Sequence, residues 1–317
     1  MADPIYCGLL AIGDPHLASR VPGFRKDDYP RAVLDKLHWC LDYAREQYLL
    51  PCLLGDLFNW SRDNANWLLG ELLGLLTSET LGIWGNHDCS EASLGVNDSL
   101  SVIVQGSRLQ LLDETTTWSG EMNGRRVIVG GTSWGQRVPR TFESGSAEAP
   151  ALVVWLTHHD ILFPGYEESG RFKPFEIPGI DVVINGHIHR PLADVVQGQT
   201  TWLNPGSIAR VKRSDANRHQ IPHVLRINVA ADGWRQQFIE IPHQPFDDVF
   251  HAELLDESLP TKESSFVQGL AELMSRRTQS GAGLQEFLNQ NLPQFDSRVA
   301  DEIRGLAQEL LTNGQED

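Results

Sequence analysis

Five apolar runs in this chain stop at the same kind of place, a short turn followed at once by carboxylate, amide or imidazole side chains. Asp14-Pro15-His16 follows the run 6–12, and Gly55-Asp56-Leu57-Phe58-Asn59 follows 49–54. Gly85-Asn86-His87-Asp88 follows 81–84, Thr157-His158-His159-Asp160 closes 151–157, and Gly186-His187-Ile188-His189 comes after 181–185. Helical periodicity fills the gaps between the first three runs, over 29–48 and 65–76. The order strand, helix, strand, helix, strand demands parallel strands joined by crossover helices. Parallel strands put all their carboxyl ends on one edge, where open α/β sheets bind ligands. Residues far apart in sequence are therefore expected to converge there. Further strands are expected at 126–129 and 201–203, with a closing antiparallel pair, 224–229 and 236–241, around Ala231-Asp232-Gly233.

The spacing inside the blocks has its own logic. Asp14 and His16, like His187 and His189, stand two residues apart, so in an extended segment each pair points to one side. Glycine before Asp14, Asp56, Asn86 and His187 lets the backbone turn sharply. The donors are carboxylate, imidazole and amide oxygen, without thiolate. That set suits Mn²⁺, Fe or Zn²⁺ at a hydrolytic site better than a structural zinc. Any one block could be a helix cap or a turn. Five in this order point to a metal site.

Together, Asp14-x-His16, Gly55-Asp56-x-x-Asn59, Gly85-Asn86-His87-Asp88, His158 and Gly186-His187-x-His189 resemble the calcineurin-like metallophosphoesterase superfamily over about residues 5–245. The resemblance implies a four-layer α/β sandwich and phosphoester hydrolysis with two divalent metal ions. It implies that Asp14, His16 and His189 hold one metal, that Asn86, His158 and His187 hold the other, and that Asp56 bridges them. His159 is the alternative to His158. His87 would be no ligand but a general acid or a donor to the phosphate, oriented by Asp88. Asn59 stands where many members have Asp.

Within the superfamily, the stretches His16-Leu17-Ala18-Ser19-Arg20, Phe24–Tyr29 and Asn204–Arg210 are similar to SbcD-type DNA-repair nucleases. That points to a Mn-dependent nuclease or exonuclease with DNA as substrate. The competing expectations are a phosphodiesterase or phosphatase for a small phosphoester such as a cyclic nucleotide, and a scaffold without catalysis. Arg20, Arg25, Lys26 and Arg31 flank the first block, and Arg190, Arg210, Lys212, Arg213 and Arg218 follow the last. They are expected to form a basic rim that contacts phosphates. Trp60 and Trp134, in loops, are candidate stacking surfaces.

The whole chain is acidic, with 26 Lys and Arg against 42 Asp and Glu, a net −16. Bulk positive charge therefore does not hold it on nucleic acid. No apolar run has the ~18 residues of a membrane span. Met1-Ala2-Asp3-Pro4 does not read as a signal peptide, and Cys7, Cys40, Cys52 and Cys89 form no CxxC pair, so the expected location is cytoplasmic. The catalytic domain is expected over 1–245, with a C-terminal helical appendage over 246–317. Residues 251–317 carry 5 basic and 12 acidic side chains, with helices expected at 266–277, 283–291 and 297–312. SbcD-type chains carry capping and docking segments in this place, so an SbcC-like ATPase partner is expected there. A homodimer is also suggested by the resemblance.

Overall fold

The computed structural model describes residues 5–251, apart from 23, 114, 144, 146–150 and 167–171, and beyond these only Ile303. The helices expected at 266–277, 283–291 and 297–312 and the proposed docking segment lie, but for that residue, outside the described residues. One compact unit spans Met1–Ala252 and holds every element named here.

The chain runs β1 (Gly8–Ile12), α1 (Tyr29–Glu46), β2 (Leu49–Leu53), α2 (Asn66–Leu75), β3 (Thr80–Gly82), α3 (Ser99–Gly106), β4 (Leu109–Leu111), β5 (Trp118–Met122), β6 (Arg125–Thr132), β7 (Leu152–Thr157), β8 (Val182–Asn185), β9 (Leu192–Gln197), β10 (Thr200–Asn204), α4 (Asp215–His219), β11 (His223–Ala230), β12 (Gly233–Glu240) and α5 (Phe246–Val249). Two six-stranded sheets result, in the orders β12-β11-β1-β2-β3-β4 and β5-β6-β7-β8-β10-β9. β1 to β4 are parallel, as are β6, β7, β8 and β10, so the expected crossovers are present. β11 and β12 form the expected antiparallel pair and close the first sheet against β1.

Both sheets are apolar on both faces, and strand alternation sorts the side chains. Leu9 and Ala11 join Leu50, Cys52, Leu54, Val127, Val154 and Ile184 in the core between the sheets. Leu10 and Ile12 face the opposite way, onto Val33, Leu37 and Cys40 of α1 and Leu68 and Leu72 of α2. The outer face of the second sheet presents Val153, Trp155, Val183 and Trp202 to Ile161, Phe163, Ile177 and Ile180. The sandwich thus has its four layers. Among the described residues the fourth is irregular chain rather than helix.

Helix α1 shows how local sequence sets this up. The Asp28 side chain accepts a hydrogen bond from Arg31 N, and Pro30 sits in the first turn, where its missing N–H costs nothing. Val33, Leu34, Leu37, Cys40 and Ala44 form its buried stripe. Beside that stripe Lys36 donates through Nζ to the Ile208 carbonyl at 2.9 Å. Burial, reinforced by Arg210 and Arg25, pushes this amine down to about 7.

Between that value and about 10.4, the ordinary lysine value, the unfolded chain holds a proton that the folded chain lacks. Stability from this group therefore rises with pH across the window, and the penalty of a charged amine is at its full value below it. Lys36→Met should gain most stability, relative to the parent, at pH 7 and below, and the difference should shrink toward pH 10. Urea unfolding of both proteins across that range measures it, and a difference independent of pH would contradict the assignment.

Candidate metal centre

All the expected donors lie at the carboxyl ends of the central strands. Asp14 and His16 follow β1, Asp56 follows β2, Asn86 and His87 follow β3, His158 follows β7, and His187 and His189 follow β8. The loops after β1 and β2 are laced together. His16 N donates to the Asp56 carbonyl at 2.9 Å, Leu17 N to Leu57 at 2.8 Å, and Asn59 N to Leu17 at 2.8 Å.

Two clusters form. Asp14, His16, Asp56 and His189 make one, and Asp56, His158 and His187 the other, with the donor atoms of each within 4.8 Å of one another. Asp56 belongs to both. Its Oδ2 lies 3.6 Å from His16 Nε2 and 3.3 Å from His158 Nε2. His16 Nε2 and His189 Nε2 are 2.9 Å apart. Asn86 Oδ1 completes the second cluster, 2.9 Å from His187 Nδ1 and 3.2 Å from His158 Nε2. Of the two adjacent histidines, His158 is the one in the cluster. The His159 ring lies 6.2 Å from that of Phe172.

Tautomers follow from the outer partners. His158 Nδ1 donates to the Leu54 carbonyl at 2.7 Å, which leaves the Nε2 lone pair for the cluster. His87 Nδ1 donates to the Asn59 carbonyl at 3.0 Å. This corrects the expectation that Asp88 orients His87. Asp88 spends its two oxygens on Phe58 N and Gly85 N, at 3.0 and 2.8 Å, and so holds the turns that carry Asp56 and Asn86. Because the carbonyl of residue 59 does the orienting, Asn in place of Asp there leaves the contact intact.

Backbone strain concentrates in the same place. Asp14, His16, Asp56 and His187 have φ of 44°, 49°, 49° and 71°, a region that non-glycine residues seldom adopt. Gly85 is held to glycine by crowding, since a Cβ there would stand 2.0 Å from Asp56 Oδ1.

A brace that the sequence reading did not assign lies behind His189. Ser207 Oγ donates to the Asp14 carbonyl at 2.7 Å, Ser207 N donates to the His189 carbonyl at 2.8 Å, and Gln220 Nε2 donates to the same His189 carbonyl at 2.7 Å. Asn204 Nδ2 donates to the Ile188 and Arg190 carbonyls, both at 2.9 Å. The run Asn204-Pro205-Gly206-Ser207 was the available signal for this brace.

The electrostatics are those of a crowded, dry site. Burial would raise Asp56, but His158, His87 and His16 outweigh it and hold the carboxyl well below its usual range. Burial lifts Asp14 to about 8, against the pull of His158 and with the push of Asp56. Burial would lower His158, but the Asp56 and Asp14 carboxylates and the Leu54 carbonyl together outweigh it and lift the imidazole to about 9. Burial drives His16 and His187 well below the ordinary value, helped by His189 in the first case and His158 in the second.

Buried Asp14 Oδ2 accepts no hydrogen bond, and buried Asp56 Oδ2 meets only the imidazoles of His16 and His158. Unmatched buried carboxylate oxygens call for cations. With imidazole and amide donors around them and no thiolate, the residues fit a pair of divalent ions.

The model of the calcineurin-like phosphoesterases matches residues 9–191. The chain belongs to that family. As a calcineurin-like phosphoesterase with ligand clusters of this kind, it is a metal-dependent phosphoesterase. No curated protein sequence matches it. Among solved structures it is similar to a hypothetical protein of Thermus thermophilus, at 13% identity and a TM-score of 0.42 over 74% of this chain and 99% of that one. A predicted phosphoesterase of Streptococcus pneumoniae matches at 12% and 0.34, over 73% and 88%. The sulfate thiohydrolase SoxB of Thermus thermophilus matches at 13% and 0.36, over 93% of this chain and 60% of that one.

The expected basic rim is divided by the structure. Arg25 and Arg210 are buried. Arg25 donates to the Arg210 carbonyl and pairs with Asp27, and Arg210 donates to the Gln244 carbonyl. Lys26 donates to the Asp247 carbonyl, while Arg218 pairs with the Asp247 carboxylate and Arg31 with Glu71. Arg20 and Lys212 stay exposed, Arg20 with its guanidinium 4.5 Å over the Trp60 ring. Loop arginines read as surface in sequence. Here Arg25 and Arg210 instead cap backbone carbonyls, and Arg25 covers the rings of Tyr29 and Phe250.

The crowding at Gly85 gives a direct test. Gly85→Ala should leave the fold intact by circular dichroism and lower bound Mn²⁺ well below that of the parent, read by elemental analysis after gel filtration. Undiminished metal would contradict the close packing on Asp56.

Proposed function

We propose that this phosphoesterase is a phosphodiester hydrolase acting on DNA, a nuclease of the SbcD type using two divalent ions, manganese foremost, in DNA repair or processing in the cytoplasm. The observation that carries the hydrolase reading is the position of His87. Its ring lies 4.9 Å from that of His16, yet it is in neither donor cluster. With Nδ1–H given to Asn59, only Nε2 is left for the substrate. When protonated, Nε2 donates a proton or a hydrogen bond to the leaving oxygen. Two divalent ions, when bound, would supply positive charge for the phosphate and an acidified water. Asp14, His16 and His189 would hold one ion and Asn86, His158 and His187 the other, with Asp56 common to both. Asp88 and Ser207 keep the ligand turns from relaxing.

The DNA reading is supported by the sequence stretches around His16 and Asn204, and by exposed Arg20 and Lys212 as phosphate contacts. Docking of an ATPase partner is placed on the acidic segment after residue 251. One observation favours a small diffusible phosphodiester instead. With Arg25 and Arg210 buried and Lys26, Arg31 and Arg218 engaged, the expected rim offers less positive charge to grip a polymer.

Hydrolysis of linear double-stranded and single-stranded DNA, beside a mononucleotide ester, with added Mn²⁺ separates the two. DNA cleavage that falls about 100-fold or more in His87→Ala, with metal content unchanged, is expected. Cleavage of the mononucleotide ester alone would replace the nuclease with the small-substrate enzyme. Full activity in His87→Ala would remove the proposed acid.

A further inference from the structure

Among the described residues, Trp134 is the one large aromatic side chain that leans on the clustered histidines. Its ring centroid is 4.9 Å from that of His187, at an interplanar angle of 34°, and 6.4 Å from that of His158. Trp60 and Trp84 pack instead against the helix-side core. The Trp134 backbone is pinned. It lies just past β6, its N–H donates to the Trp84 carbonyl at 3.1 Å, and Trp84 N donates in turn to Ser133 Oγ at 3.0 Å. Ser133 N donates to Gln136 Oε1 at 2.8 Å. The indole is thus a half-buried ring on a fixed turn. It stands beside the cluster of Asp56, His158 and His187, whereas His87 stands beside His16 of the other cluster.

A phosphate spanning both clusters with its leaving oxygen at His87 would direct its other substituent to the side of His187. Trp134 stands on that side. An indole face on that pinned turn suits a flat group better than an acyl chain. The flat group borne by a phosphodiester of nucleic-acid chemistry is a nucleobase, and every base offers a ring face to stack on. We propose that Trp134 is a stacking platform for a nucleobase of the substrate, and so a specificity-determining residue of this site. The inference rests on the phosphodiesterase reading above and deepens it. It holds whether the nucleotide belongs to a polymer or stands alone.

The test compares thymidine 5′-(4-nitrophenyl phosphate) with methyl 4-nitrophenyl phosphate, which lacks the base, using the Mn²⁺-loaded full chain, Trp134→Leu and Trp134→Phe. The measured quantity is the ratio of kcat/KM for the nucleoside ester to that for the methyl ester. Stacking predicts that the ratio falls roughly ten-fold in Trp134→Leu, mainly through KM, and that Trp134→Phe keeps most of it. A ratio that falls less than about three-fold in Trp134→Leu overturns the platform, including the case in which both esters slow together because the ring merely supports His187. An equal fall in Trp134→Phe also overturns it. Failure of the parent protein to hydrolyse either ester would overturn the phosphodiesterase reading itself.

Discussion

Asp56 has to serve two donor clusters with one carboxylate, and much of the local geometry around it answers that demand. The residue is buried in a left-handed backbone conformation, φ 49°. Its Oδ1 accepts from His87 N at 2.8 Å, which frees Oδ2 to face His16 and His158. A buried carboxylate without positive partners would cost several kcal/mol. Here the surrounding histidines hold it ionised, and two divalent cations would neutralise it more fully. The Gly85 turn that comes so close to Asp56 is itself tied down by Asp88, through Gly85 N and Phe58 N.

The centre also straddles the two sheets. Asp14, His16, Asp56 and Asn86 come from strands of the first sheet, and His158, His187 and His189 from the second. Each cluster draws donors from both. Filling them would therefore tie one sheet to the other at the edge where the inter-sheet core ends. Binding free energy in such a site adds to folding free energy. Asn185 reinforces the same edge, accepting from Thr157 Oγ1 at 2.9 Å and His159 N at 3.0 Å while donating to Asn204 Oδ1 at 3.0 Å.

What could be read in the sequence follows from how local each signal is. The ligand-bearing turns were legible because glycine, donor and apolar strand are adjacent in the chain, as in Gly85-Asn86-His87. α1 was legible from its periodicity and Pro30. β5 and β9 were not, because both are largely exposed edge strands, Trp118–Met122 and Leu192–Gln197, whose sequences show no clean alternation of apolar and polar residues. β4 has three residues, too few to show a period, and α3, with no hydrogen-bonded side-chain cap, gave no clear start. Long-range roles were also hidden. Nothing near Gln220 says that its amide reaches His189, and nothing near Arg25 says that it points inward. The role first assigned to Asp88 went instead to a main-chain carbonyl, a group that sequence does not label.

The shared carboxylate is tested most directly by calorimetric titration of the metal-free full chain with Mn²⁺, beside Asp56→Asn. The account predicts two ions per parent chain, and in the variant a loss of at least one with the fold retained by circular dichroism. Two ions bound as tightly by Asp56→Asn as by the parent would contradict it.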